Sequence, residues 1–283
     1  MRYLPSLNNC KIAIIGLGYV GLPVAIEFSK RNESLIDKSV LNRKIIGFDI
    51  KKSRIDELKM GIDKTNEVTE EELNKTNIQF TSDKESLEEA NVFIVTVPTP
   101  IDWNKIPDLT LLEKACKTIG ASIRNGPKFE SIPVVIFEST VYPGATEEVC
   151  IPIIENESGL SLYSDSKKKN TFACGYSPER INPGDKKHRI SSIKKVTSGN
   201  NNTLRYYGNG GNNNAQVYIY TSGAVVELIQ LNGGNTANLT VNGESIYDYT
   251  LLVDQDGNDT CNYTFNRNDQ TADTTVQLTN SGC

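Results

Sequence analysis

Ile14-Ile15-Gly16-Leu17-Gly18-Tyr19-Val20-Gly21-Leu22-Pro23 is the stretch on which the reading of this chain turns. It completes a short apolar run, Lys11-Ile12-Ala13-Ile14-Ile15, of the kind that forms a buried parallel strand. Its glycines fall in the pattern G-x-G-x-x-G. Gly16 permits a tight turn, Gly18 lets a pyrophosphate approach the backbone, and Gly21 lets the following helix pack against the strand. The helix that opens at Tyr19 and Val20 would offer free N–H groups and its positive dipole end to phosphates. A glycine hexad alone also marks plain turns. Here it follows a strand, opens a helix and is answered by Asp49 at the end of a second apolar run, Lys44-Ile45-Ile46-Gly47-Phe48. Asp49 lies beyond the usual spacing of ~20 residues, and the segment 32–42 reads as an inserted loop that accounts for the excess. Asp49 would accept hydrogen bonds from the adenosine ribose, which favours NAD over NADP. Arg54 pulls the other way, because an arginine nearby can receive a 2′-phosphate.

Outward from this stretch, strands and helices alternate. Val92–Val97 and Pro133–Glu138 read as further strands, with shorter candidates at Ile78–Phe80, Thr171–Cys174 and Lys195–Thr197. Helical patterns fit Tyr19–Arg31, Lys52–Met60, Glu70–Lys75, Asp83–Ala90, Leu109–Arg124 and Gly144–Glu155. Such alternation predicts an α/β, Rossmann-like, doubly wound parallel sheet with ligands at the carboxyl ends of its strands. Chemistry is therefore expected near Gly16, Asp49, Pro98 and Ser139.

The composition of the 283 residues breaks near position 200. All eleven prolines and every lysine lie in residues 1–199, whose net charge is about +1. Residues 200–283 hold 16 asparagines, and their only basic residues are Arg205 and Arg267 against eight acids. Such a shift predicts a domain boundary or a fusion. We expect an NAD-binding domain over 1–199, a polar linker over 200–214 and a β-rich domain over 215–283. That tail reads as a small antiparallel β domain, with strands at Gln216–Thr221, Ala224–Leu231, Thr236–Val241, Tyr247–Val253, Cys261–Asn266 and Thr274–Thr279. Asp254–Asp259 resembles a calcium loop only weakly, since the closing glutamate of an EF-hand is missing. No metal site is expected: the six cysteines show neither C-x-x-C pairs nor ligand spacing. A net charge of −5 argues against nucleic acid as a partner. No apolar run is long enough to cross a bilayer and no signal-type segment leads the chain, so a cytoplasmic protein is expected.

Several further strings carry a resemblance. Val97-Pro98-Thr99-Pro100, Glu138-Ser139-Thr140-Val141-Tyr142-Pro143-Gly144 and Gly175-Tyr176-Ser177-Pro178-Glu179-Arg180-Ile181-Asn182-Pro183-Gly184-Asp185 follow the glycine hexad in order. Together they resemble the UDP-glucose/GDP-mannose dehydrogenase family over residues 10 to 199. With Gly61-Ile62-Asp63, they are most similar to the branch that oxidises UDP-N-acetylglucosamine or UDP-N-acetylgalactosamine at C6 for polysaccharide synthesis. The resemblance implies NAD as cofactor and a UDP-sugar as substrate. It puts Thr99 against the nicotinamide-side ribose, and Ser139 and Thr140 between cofactor and substrate, with Thr140 helping to hold a catalytic water. It makes Glu179 the acid-base carboxylate and brings Arg180 and Asn182 to the sugar nucleotide. Plainer readings stand beside these: Thr99 as a Pro-x-Pro turn residue, Thr140 as a hydroxyl closing a turn, Glu179 on a solvated helix start. His188, in a Lys-Lys-His-Arg run, reads as solvated rather than catalytic.

The family reaction is two successive oxidations of a primary alcohol, with a cysteine capturing the intermediate aldehyde. Family members continue with a helical dimerisation linker that supplies a lysine and an asparagine, then a Gly-Gly-x-Cys segment and a second Rossmann-like domain. The tail here has no lysine, and Cys261 and Cys283 are not in a Gly-Gly-x-Cys setting. The expectation is a homologue intact in cofactor binding, truncated and incomplete as a catalyst, its oligomeric state left open. Two alternatives remain: a non-catalytic NAD-binding domain fused to a β interaction or carbohydrate-binding module, and a chimeric reading frame joined near residue 200.

Overall fold

The computed structural model describes residues 4–178, apart from 7, 35–38, 128–130 and 164–169. Beyond them it describes the backbone of strands between 198 and 279. The chain falls into two units, Met1–Thr197 and Ser198–Cys283.

In the first unit the elements run β1 (Lys11–Ile15), α1 (Gly21–Lys30), β2 (Lys44–Phe48), α2 (Lys52–Lys59), α3 (Glu70–Asn74), β3 (Gln79–Thr81), β4 (Val92–Val95), α4 (Thr110–Asn125), β5 (Val134–Phe137), α5 (Ile151–Ser158), β6 (Ser161–Leu162) and β7 (Thr171–Tyr176). Seven parallel strands lie in the order β3-β2-β1-β4-β5-β7-β6. The α/β expectation is met. From β1 the chain steps outward to β2 and β3, then returns to place β4 on the other side of β1. The direction of winding reverses there, between the carboxyl ends of β1 and β4. This is the switch point at which such sheets receive ligands.

The period of two along β1 divides the core. Ala13 and Ile15 face one cluster, with Phe93, Phe137, Phe172, Leu112, Ile119 and Ile154, where α4 and α5 cover the sheet. Ile12 and Ile14 face the other, with Leu17, Leu22, Ile26, Ile55 and Leu58 from the glycine turn, α1 and α2. Burying a phenylalanine such as Phe93 contributes about 1.5–3 kcal/mol, and burial on both faces explains why the strands are continuous apolar runs rather than alternating ones.

Several sequence expectations need correction. The run Val92–Val97 stops being a strand at Val95, because the Thr96 side chain turns back to the loop after β1 and Pro98 cannot extend a ladder. Over Asp83–Ala90 only one 3-10 turn forms, at Glu85–Leu87, since the backbone bonds there span three residues and the chain must enter β4 immediately. The helix expected from Gly144 opens instead as a π turn over Thr146–Cys150. Pro152 has no N–H for the Glu148 carbonyl, and Ile151 N–H donates to Thr146 O across five residues. The strand expected at Lys195–Thr197 lies outside the described residues.

In the second unit the described strands include Thr203–Asn209, Asn214–Ile219, Val225–Leu231, Thr236–Gly243, Tyr249–Gln255, Thr260–Arg267 and Thr274–Thr279. The antiparallel pairing expected of the tail is not what they show. Each pairs in parallel with the strand two places along, as in Val226 with Leu251 and Leu239 with Tyr263. Consecutive strands go to different sheets, so Val225–Leu231 and Thr236–Gly243 are not paired as the arms of a hairpin.

The helix α3 begins with a capping box. Thr69 Oγ1 accepts from Glu72 N–H at 3.2 Å, and the Glu72 carboxylate accepts from Thr69 N–H at 3.0 Å. Lys30 at the end of α1 pairs with the same carboxylate at 2.9 Å, tying two helices together. The Thr69 N–H, foremost, and Lys30 hold the Glu72 carboxyl down at about 2, against a smaller opposing effect of burial. The stabilisation is complete above the ordinary value of 4.5 and disappears as pH falls toward about 2. Glu72→Gln should therefore cost about 1 kcal/mol at pH 7. In urea unfolding followed by circular dichroism, the gap from the parent chain should close between pH 4.5 and about 2. A gap unchanged at the acid end would show that the charge is not its source.

Candidate functional site

The glycine turn is built from its backbone outward. Gly16 has φ of +97°, a left-handed conformation that other residues rarely adopt. A Cβ on Gly21 would lie 1.8 Å from Gly16 O and 2.3 Å from Thr96 Oγ1, so only glycine lets α1 press this closely on the turn. A Cβ on Gly18 would meet nothing within 4 Å and would stand in open space. The three glycines thus do three different things, as the motif predicts. No side chain caps the start of α1 and its first turn has no acid, which leaves its positive dipole end available to an anion, although Leu22 N–H is spent on Gly18 O at 3.1 Å and Pro23 has no N–H to offer.

Leu17, between the first two glycines, is held through both of its backbone polar groups. Its N–H donates to Asp49 Oδ2 at 2.9 Å, and its carbonyl accepts from Arg54 Nε at 2.9 Å. Asp49 Oδ1 accepts from Lys51 N–H at 2.9 Å, which fixes the carboxylate at the end of β2. Each oxygen retains a lone pair for a ribose hydroxyl. Sequence reasoning anticipated the place of Asp49 but not its grip on Leu17.

Beside the turn lies a cleft of about 640 Å³, lined by Gly18, Tyr19 and Val20 from the α1 side, by the segment from Thr96 to Ile101 after β4, and by Glu138 to Tyr142 after β5. The structure therefore brings Gly18, Tyr19, Val20, Thr99, Ser139 and Thr140 to one cavity, at the switch point. Thr99 Oγ1 donates to the Thr140 carbonyl at 2.5 Å, joining two walls of the cleft. Ser139 is buried and donates to Val97 O at 2.6 Å. Thr140 is exposed at the cleft surface. Glu179, Arg180, Asn182 and His188 lie outside the described residues.

Two residues were missed by sequence reasoning. Thr96 is buried, and its hydroxyl reaches Gly16 O at 2.7 Å and Ile15 O at 3.0 Å, bracing the turn from the β4 side. Its only signal was a hydroxyl near the end of an otherwise apolar run. Glu138 is an acid buried in the cleft wall, and its position at the end of an apolar run carried no signal of that burial. On the rim, a small hairpin closed by an Ile101–Pro107 bridge carries Trp103, which is 89% exposed. Among the described residues no three His, Cys, Asp or Glu side chains group as metal ligands, and no helix is long and apolar enough to cross a membrane.

A parallel sheet with a glycine turn of this geometry, an acid ending β2 and a cleft at the switch point defines a dinucleotide-binding Rossmann domain. The NAD binding domain of the UDP-glucose/GDP-mannose dehydrogenase family matches residues 10–218, and the chain belongs to that family. It is 52% identical over 194 residues to the UDP-N-acetyl-D-glucosamine 6-dehydrogenase of Pseudomonas aeruginosa, covering 68% of this chain and 40% of that protein. To the enzyme of the same name from Salmonella typhi it is 50% identical over 195 residues, covering 69% of this chain and 40% of that protein. The crystal structure of NDP-N-acetyl-D-galactosaminuronic acid dehydrogenase from Methanosarcina mazei superposes with a TM-score of 0.54 at 26% identity, over 67% of this chain and 38% of that one. The chain thus spans about 40% of the length of the two 6-dehydrogenases. The residues present fit the cofactor: the open space at Gly18 and the free end of α1 suit a pyrophosphate, and Asp49 suits a ribose.

The glycines yield a paired test. Gly18→Ala should alter stability by no more than about 1 kcal/mol yet weaken NAD binding about tenfold or more, read by calorimetric titration. Gly21→Ala should lower stability by roughly 1–3 kcal/mol or more, because the clash is with backbone, visible as a fall in Tm. Equal loss of stability in both variants would contradict the division of roles.

Proposed function

We propose that this chain is the cofactor-binding half of an NAD-dependent UDP-N-acetylhexosamine 6-dehydrogenase, forming a uronate for polysaccharide precursors. The observation that carries the reading is the identity of 50–52% to two proteins named as UDP-N-acetyl-D-glucosamine 6-dehydrogenases, over a segment that contains the whole cleft. When bound, NAD would supply the acceptor for hydride from the sugar C6. The chain's own residues would do the rest. Gly16, Gly18, Tyr19, Val20 and Gly21 would cradle the pyrophosphate, and Asp49 would hold the adenosine ribose. Thr99 and Ser139 would position the nicotinamide side. Thr140, its backbone fixed by Thr99, would present its hydroxyl to a water beside the reacting carbon. Glu179 would take and return the proton, with Arg180 and Asn182 on the UDP-sugar.

Covalent capture of the aldehyde needs a reactive thiol. Cys10, Cys116, Cys150 and Cys174 are buried. Burial pushes the Cys10 thiol up against a smaller opposing pull from Arg43, burial with the neighbouring Cys150 and Glu147 pushes Cys174 up, and Cys116 is pushed up by its hydrogen bond with Cys150 and by burial, the opposite of what a nucleophile requires. We therefore propose that the chain alone does not complete the four-electron oxidation. Domains are proposed at 1–199 and 215–283 with a polar linker over 200–214, a stretch that includes the strand Thr203–Asn209. A second reading, a non-catalytic NAD-binding domain joined to a β module or a chimeric reading frame, is favoured by the composition break near residue 200. Genomic sequence across codons 195–215 tests the frame.

The deciding experiment follows NADH absorbance with UDP-N-acetylglucosamine, UDP-N-acetylgalactosamine and UDP-glucose while NAD binding is titrated on the same preparation. NAD binding without sustained NADH is expected. Sustained NADH would overturn the claim of incompleteness, and no NAD binding would overturn the reading itself.

A further inference from the structure

Arg54 stands five residues after Asp49, where an arginine can receive the 2′-phosphate of NADP. In this fold it is engaged elsewhere. The side chain is buried, at 9% exposure. Nε is spent on Leu17 O, and Nη2 donates to Asp63 Oδ1 at 2.7 Å. Nη1 is a buried atom without a hydrogen-bond partner, 3.9 Å from Glu57 Oε2. The guanidinium therefore points into the protein, with its charge balanced by two carboxylates.

The decisive partner is Asp63. Its side chain is 1% exposed, yet it is fully solvated by protein. It accepts from the N–H groups of Thr65, Glu67 and Val68 at 2.9–3.0 Å and from the Thr65 hydroxyl at 2.6 Å, besides Arg54. Burial raises this carboxyl, but the hydrogen bonds from Thr65 and Arg54, with those of the Val68 and Thr65 N–H groups, outweigh it and keep it below the usual value. Asp63 is thus a fixed anion. Moving the guanidinium out to a phosphate would leave that anion buried without its cation, an arrangement that proteins strongly disfavour.

We infer that Asp63 is a specificity-determining positioning residue: by holding Arg54 inward against Leu17, it converts a potential 2′-phosphate receptor into a brace for the glycine turn and so selects NAD over NADP. The selection works alongside the direct repulsion of a 2′-phosphate by Asp49. The inference rests on the NAD reading of the cleft.

The test measures NAD and NADP binding to the full chain by calorimetry, the weaker dinucleotide by competition. The parent chain should prefer NAD by about 100-fold or more, an energy of about 2.8 kcal/mol at 1.4 kcal/mol per tenfold. Asp63→Asn keeps an acceptor for the loop N–H groups but removes the charge. It should shift the NAD-to-NADP ratio toward NADP by about tenfold, and Arg54→Met added to it should abolish that shift. Arg54→Met alone, which does not depend on the Asp63 variant folding, should weaken both dinucleotides by the same factor, as loss of a brace does. If Arg54→Met weakens NADP far more than NAD, or if folded Asp63→Asn keeps the parental ratio, the inference fails while the NAD reading survives. If the parent chain binds neither dinucleotide, the NAD reading fails and takes the inference with it.

Discussion

Everything at the cleft depends on how one backbone unit, Leu17, is held. It stands in a turn with a positive-φ glycine on one side and an open glycine on the other. Left to itself such a segment would carry a large conformational entropy. Asp49 takes its N–H, Arg54 takes its carbonyl, Thr96 reaches the carbonyl of Gly16, and the Leu17 side chain is fully buried. Three side chains from elsewhere in the sequence, Asp49, Arg54 and Thr96, converge on three consecutive residues, Ile15, Gly16 and Leu17. A loop that must meet a phosphate with bare backbone is thereby fixed before any ligand arrives, which lowers the ordering cost of binding.

That convergence also orders the fold. The strand order reverses between β1 and β4, so the turn after β1 and the turn after β4 are neighbours, and Thr96 can bridge them. The turn after β5 joins the same cluster through Ser139 to Val97 and through Thr140 to Thr99. The three loops that line the cleft are thus hydrogen-bonded to one another as well as to the sheet. The apolar clusters on the two faces hold the strands in register, and the polar contacts above their ends hold the loops.

Much of this was legible in the residues. The strands Lys11–Ile15 and Lys44–Phe48 were read with the bounds they have, because apolar runs ended by glycine or aspartate leave little freedom. The family was legible because several strings recur in one order, and its NAD binding domain matches. What escaped has physical causes. The role of Arg54 could not be read, since a guanidinium's partner depends on where residues 63 to 68 fold back. Thr96 looked like strand because its neighbours are apolar. Pro152 signalled a perturbed helix, but not that the perturbation would be absorbed upstream as a π turn. In the tail, asparagine-glycine turns between apolar runs suggested hairpins, and local turn chemistry does not reveal whether the next strand joins the same sheet or another.

The exposed hairpin on the rim gives the molecule an unplanned property. Trp103 is the sole tryptophan of the 283 residues, and it stands in water on a loop whose own Ile101 and Pro107 form part of the cleft wall. Indole emission from this chain therefore originates at one address, on the rim of the cleft. Excited to the red of tyrosine absorption, the domain carries a built-in optical gauge of its own cleft.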